Sequence, residues 1–200
     1  MIPKLKDKFL TVGSGPYISE IKIQGSRFVA QIFHTATQDK AVEKYAQIKK
    51  KYHDATHNCY AYRIDMNQYR FSDDGEPSGT AGRPILHIIE GRDLFQTLTV
   101  VTRYFGGTKL GTGGLKRAYS EAVRKCLDQV YIIEKTRFKE VKITTKYDLL
   151  DRVREIISRH QGNIISSDYS DKVILISHIP LGEFNSFQEE IIHNVEISEL

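Results

Sequence analysis

The stretch "LTVVTRYFGGTKLGTGGLKRAYSEAVRKCL", residues 98–127, constrains this chain more than any other segment. Its opening, residues 98–103, reads as a buried strand that ends on Arg103. Its close sets Leu115, Ala118, Tyr119, Ala122, Val123, Cys126 and Leu127 at the i, i+3, i+4, i+7 spacing of an amphipathic helix. Between them five glycines fall in nine positions, residues 106–114. Glycines this dense cost backbone entropy unless positive φ angles or a close approach require them. A strand running through glycines into a helix N-terminus presents unpaired amides and a partial positive charge. Arg103, Lys109, Lys116, Arg117 and Arg124 surround the amides near Gly111, Gly113 and Gly114. The pattern suits a phosphate site and equally suits a tight basic turn. It is not a Walker A loop, because no Gly-Lys-Ser/Thr closes it. Nor is it a dinucleotide fingerprint, because Lys116 stands where the last glycine belongs.

The remaining segments organise around this one. Residues 17–34 read as a hairpin turning at Gly25-Ser26, and Thr35 with Gln38 forms a capping box for a helix carrying Ala41, Val42, Tyr45, Ile48 and Tyr52. "HNCYAYRID" is an aromatic strand, "QYRFSDDGEPSGTAGRP" is turn chemistry, and "PILHIIEG" is a helix with Pro84 in its first turn. After residue 138 the pattern restarts. A strand, a helix capped by Asp148, a hairpin around Ser170-Asp171, a helix over "GEFNSFQEEIIHN" and a last strand give βαββαβ, the ferredoxin-like order. The expected domains are 1–135 and 136–200, joined near residues 134–137.

Charge supports that division. The net formal charge of +4 splits into +7 over residues 1–135 and −3 over residues 136–200. The basic part is the one to test against polyanions. No apolar run approaches the ~20 residues of a membrane helix, and the start lacks the pattern of a signal peptide. Cys59 and Cys126 stand alone and far apart, so free thiols in a reducing cytoplasm are expected.

Other clusters compete for a role. Asp73, Asp74 and Glu76 could hold a divalent cation or act as acid and base, although Asp-Gly is first of all a turn signal. His53, His57 and Cys59 could ligate zinc, but no fourth ligand completes a structural site. Tyr60, Tyr62 and Tyr69 could stack bases, or pair across strands as aromatics in sheets usually do. No nucleophile motif stands out, and no cofactor is expected.

"SDDGEPSGTAGRPIL" followed by "VVTRYFGGTKLGTGGLKRAYSEAV", with "ATHNCYAYRI", resembles the IMPACT/YigZ family over residues 20–127. The last part is similar to the DUF1949-type C-terminal domain of the bacterial branch. The resemblance implies an α/β (α+β) protein, a ribosomal-protein-S5-domain-2-like N-terminal domain followed by a ferredoxin-like domain similar to elongation factor G domain V. It implies a nucleic-acid or ribosome-associated role. Eukaryotic IMPACT proteins regulate translation through the activator of a starvation-responsive kinase, a partner not expected in a bacterium. The expectation is a non-catalytic, cytoplasmic RNA- or ribosome-binding protein, with no membrane association. The alternative is a phosphate-handling or metal-assisted enzyme on the S5-like fold, using Asp73, Asp74 or Glu76.

Overall fold

The computed structural model describes residues 7–191 and 195–200. The elements run β1 (Lys8–Val12), β2 (Tyr17–Ile23), β3 (Ser26–His34), α1 (Gln38–Lys51), β4 (His57–Arg63), β5 (Tyr69–Ser72), α2 (Gly82–Gly91), β6 (Thr97–Tyr104) and α3 (Gly111–Leu127). They continue with β7 (Ile132–Thr136), β8 (Phe138–Thr145), a 3₁₀ turn (Tyr147–Leu149), α4 (Leu150–Arg159), β9 (Asn163–Tyr169), β10 (Val173–Pro180), α5 (Phe184–Glu190) and β11 (Glu196–Glu199). The chain divides into two compact units, Leu10–Glu134 and Lys135–Leu200, and the segment up to Phe9 counts with the second.

The first unit is built on an antiparallel sheet in the order β2-β3-β6-β4-β5. The two-residue period of a strand sends alternate side chains to opposite faces. Phe28, Ala30 and Ile32 of β3, Cys59 and Ala61 of β4 and Val101 of β6 therefore meet α2 and α3 on one face. Phe33, Tyr60, Tyr62, Leu98 and Val100 meet Ala41 and Ile48 of α1 on the other. Each large apolar side chain so enclosed contributes roughly 1.5–3 kcal/mol of transfer free energy. Both faces are covered, which explains why β3, β4 and β6 are buried along nearly their whole length rather than at alternate residues.

The second unit carries the antiparallel sheet β11-β8-β10-β9. Its strands follow the chain as first, second, third and fourth but lie in the order 4-1-3-2, which with α4 and α5 is the ferredoxin-like arrangement. Val153, Ile156, Ile157, Phe184 and Phe187 pack on Val141, Ile143, Val173 and Leu175 of the sheet. The protein is thus of mixed α/β class in both units.

Several local expectations change. Thr37 rather than Thr35 caps α1, its hydroxyl accepting from Lys40 N–H at 3.3 Å, while Thr35 is buried. The buried stripe of α1 leaves Val42 46% exposed. The segment "YRFS", taken for turn, is β5, an edge strand pairing only with β4. The boundary between the units falls between Glu134 and Lys135, within β7. β7 pairs with β1, and the Arg137 N–H donates to the Asp7 carbonyl at 2.6 Å. Asp148 lies in the 3₁₀ turn and does not cap α4. The helix expected over "GEFNSFQEEIIHN" ends at Glu190, with Ile191 extended; residues 192–194 lie outside the described residues, as do residues 1–6 of the opening segment.

The glycines divide into two kinds. Gly106 packs against the β2–β3 turn, and a Cβ there would fall 1.8 Å from the Gly25 carbonyl carbon. Gly111 starts α3 at φ +69, whereas Gly113 is not in the positive-φ region and has open space beside Arg117. Gly106→Ala is expected to destabilise the first unit by roughly 1–3 kcal/mol, since backbone must move. Gly113→Ala is expected to be neutral or to stabilise by up to roughly 1 kcal/mol, through helix propensity. Urea midpoints of the two variants measure the contrast. Cys59 and Cys126 are free and buried, and burial raises both thiols, Cys126 to about 11. Neither is expected to react with a soluble disulfide reagent at neutral pH until denaturant unfolds the protein, when two thiols per chain should titrate.

Candidate functional site

Strand register builds the site. Arg103 of β6 lies opposite Phe28 of β3 on one side and His57 of β4 on the other. It shares the parity of Val101, so its side chain enters the space between sheet and helices rather than solvent. Only 5% of Arg103 is exposed. Its Nη1 donates to Glu76 Oε1 at 2.6 Å and its Nη2 to Ser26 Oγ at 3.3 Å. The Tyr119 hydroxyl donates to the same Glu76 oxygen at 2.8 Å. The Cys59 thiol lies 3.3 Å from the Tyr119 hydroxyl and 3.0 Å from the Asp73 carbonyl. Burial raises the Tyr119 phenol and the Cys59 thiol far above their ordinary values, so both keep their protons and act as donors.

The acidic turn after β5 has three distinct tasks. The Asp73 carboxylate accepts backbone N–H groups from Gly79, Ala81 and Gly82 at 2.8–2.9 Å, satisfying the start of α2 from outside the helix. Asp74, in the left-handed region at φ +43, accepts the Asn58 N–H at 2.7 Å and Lys49 Nζ at 2.8 Å. Its carbonyl accepts from His57 Nδ1 at 2.8 Å. Glu76 turns inward to Arg103. The three carboxylates considered as metal ligands or acid–base groups do not converge, and no group of three or more His, Cys, Asp or Glu among the described residues could hold a metal ion. Both oxygens of Asp73 and of Asp74 are taken up by the protein's own donors.

The suggested zinc ligands are likewise occupied elsewhere. Cys59 points at Tyr119, and His57 faces Glu76, with Nε2 3.9 Å from Glu76 Oε2. The suggested stacking tyrosines are mostly core. Tyr60 and Tyr62 are buried against α1 and stack on each other at 6.2 Å, and only Tyr69 is half exposed.

The glycine loop and α3 supply the open part of the site. Lys109, Lys116, Arg117 and Arg124 are exposed, and none makes an ion pair among the described residues. Gly111 and Gly113 are exposed and Gly114 is half-buried. Leu110 precedes α3 without a side-chain cap, and no acidic residue occupies the first turn. The first amides of α3 therefore meet neither a capping side chain nor an acidic one. Arg103 does not join these cations: its charge is spent on Glu76, and its place is beneath the loop.

A cleft of about 450 Å³ opens between the two parts. Arg103 and His57 reach it from the sheet, Glu76 from the acidic turn, and Lys109, Gly111 and Thr112 from the glycine loop and the start of α3. Pro77, Phe105, Leu110 and Leu115 give it apolar wall. The sequence concealed this cleft. Its one local sign was an arginine at an inward-facing position of a buried strand, which requires a buried acid somewhere. That the acid is Glu76, 27 positions earlier, follows from tertiary contact alone.

Comparison with known proteins agrees with this architecture. The Impact N-terminal domain matches residues 24–127, which hold the sheet from β3 onward, the acidic turn and α3. A domain of unknown function, DUF1949, matches residues 143–194. IMPACT family member YvyE of Bacillus subtilis is 38% identical over 172 residues, covering 85% of this chain and 79% of that protein. IMPACT family member YigZ of Escherichia coli is 34% identical over 174 residues, covering 85% of each. The crystal structure of a hypothetical protein, 31% identical, superposes with a TM-score of 0.72 over 98% of both chains. With its glycine loop, its acidic turn and both of its units matched, the chain belongs to the IMPACT family.

Proposed function

We propose that this protein is a non-catalytic regulator of translation that binds RNA, free or within the ribosome, through the start and exposed face of α3. The carrying observation is the set of exposed, unpaired cations Lys109, Lys116, Arg117 and Arg124, which run from the glycine loop along that helix. Such a track is longer than a single small anion uses, and it matches a backbone with regularly spaced phosphates. The amides at residues 111–114 add fixed partial charge at its head. Glu121 interrupts the face, yet the first turn holds no acid. Membership of the IMPACT family supports the regulatory part of the reading. Two buried free thiols fit a reducing cytoplasm, and no helix among the described residues is long and apolar enough to cross a membrane.

Each true phosphate contact releases condensed counterions, so its removal lowers the slope of log K against log salt by roughly 0.7–0.9. Lys116→Ala with Arg117→Ala is expected to weaken binding to ribosomes and to single-stranded RNA and to reduce that slope by roughly 1.4–1.8 for the pair. The melting temperature should stay unchanged, because both side chains lie off the buried stripe of α3. Co-sedimentation with ribosomes and separated subunits across a salt series reads the effect. Wild-type binding without salt dependence, or a double variant with unchanged affinity, would refute the reading.

A further inference from the structure

The cleft beneath the glycine loop has features that a phosphate track alone does not need. Glu76 and Arg103 are each more than nine-tenths buried, and both line it. Each keeps an atom without a hydrogen-bond partner among the described residues. Arg103 Nε has none, and Glu76 Oε2 has only His57 Nε2 at 3.9 Å, because Arg103 and Tyr119 both donate to Oε1. Leaving a buried donor such as Arg103 Nε unmatched is costly, and a ligand is one way of matching it.

The chemistry of each wall narrows the ligand. His57 Nδ1 meets a carbonyl oxygen, which only accepts, so the neutral ring carries its proton there and presents Nε2 as an acceptor. Glu76 Oε2 is an acceptor as well. The floor thus calls for ligand hydroxyls, which can donate to these two atoms and accept from Arg103 Nε. The rim, with Lys109 and the uncapped amides of α3, calls for an anion. Phe105, 46% exposed, offers a ring face at the mouth. The volume of about 450 Å³ falls within the range of small-molecule sites and exceeds what a lone phosphate fills.

From these features we infer that the cleft binds one phosphorylated nucleoside, its phosphate on the α3 amides and Lys109, its sugar hydroxyls toward Glu76 and His57, and its base against Phe105. The inference rests on the reading that the start of α3 takes phosphate, and deepens it by naming the unit held there. That unit is either a free nucleotide or the phosphorylated end of an RNA chain.

Calorimetric titration of the full chain distinguishes these cases. The ligands are AMP, GMP, CMP and UMP, the matching 2′-deoxynucleotides, ribose 5-phosphate, inorganic phosphate, and a short oligoribonucleotide with and without a 5′-phosphate. At least one ribonucleoside monophosphate is expected to saturate one site, more tightly than inorganic phosphate and than its deoxy form. Lys109→Ala should weaken it roughly tenfold or more, the effect of losing a charged hydrogen bond. Phe105→Ala should weaken nucleotides while leaving ribose 5-phosphate unchanged. Both side chains are exposed, so folding should survive either change. A preference for the 5′-phosphorylated oligomer assigns the site to an RNA end, and equal binding of the two oligomers with tight mononucleotide binding assigns it to a free nucleotide. RNA binding that depends on Lys116 and Arg117, with no mononucleotide bound at millimolar concentration, overturns the cleft proposal and leaves the RNA reading standing. Mononucleotide binding without RNA or ribosome binding does the reverse.

Discussion

Between Arg103 Nη1 and Glu76 Oε1 there are 2.6 Å, and neither side chain is more than 6% exposed. Taking two such charges out of water costs several kcal/mol per ion, and the pair returns this only when its geometry is good and its remaining lone pairs are met. Here Tyr119 donates to the carboxylate and Ser26 accepts from the guanidinium. The bond therefore ties together four segments: β6 through Arg103, the turn after β5 through Glu76, α3 through Tyr119 and the β2–β3 turn through Ser26. Losing either charge would leave the other buried and unpaired, at a cost of about 3–5 kcal/mol. The position of the glycine loop relative to the acidic turn, and with it the shape of the cleft, depends on this one contact.

The acidic turn can supply Glu76 only because its neighbours hold it. Asp73 fastens the turn to the start of α2, and Asp74 fastens it to β4 and to Lys49 of α1. Carboxylates that look in sequence like a site are thus the braces of a site. Across the cleft, Gly106 against Gly25 lets β6 leave the sheet so closely that no side chain fits between. The loop then delivers Lys109 and the first turn of α3 to the rim. In the proposed reading, these braces on both sides of the opening hold its few polar atoms in place for a ligand.

The second unit solves a different problem. Its sheet buries one face under α4 and α5, while every residue of the edge strand β9 is exposed. Around α5, His160 lies 3.1 Å from Glu183 and 2.8 Å from Glu190, and that histidine, followed by Arg159, holds the Glu190 carboxyl below its ordinary range. This cluster joins α4 to the following helix through charge rather than through apolar area. The short α5, with Phe184 and Phe187 as its buried side chains, has little apolar area to offer.

By itself the sequence determined the element types and the class of fold wherever periodicity was strong. The stripe of α3, the buried strand before the glycine loop and the βαββαβ order of the second half follow from local pattern, because side-chain direction repeats every 2 or 3.6 residues. The exposed cations of α3 were legible for the same reason. Weak periodicity misled: β5 is a short edge strand of four residues among turn-forming ones, so "YRFS" read as turn, while β1 and β7 are short and pair with each other from distant parts of the chain. Capping at Thr37 rather than Thr35 is a two-residue shift that only backbone geometry fixes. The tertiary structure alone decided that Arg103 is spent on Glu76, that Asp73 and Asp74 are braces, and that His57, Phe105 and the start of α3 enclose a common cleft. Those facts join residues up to 77 positions apart, as Ser26 and Arg103 are. The energy of such a contact depends on burial and on exact distance, and neither quantity is written in the spacing of residues along a chain.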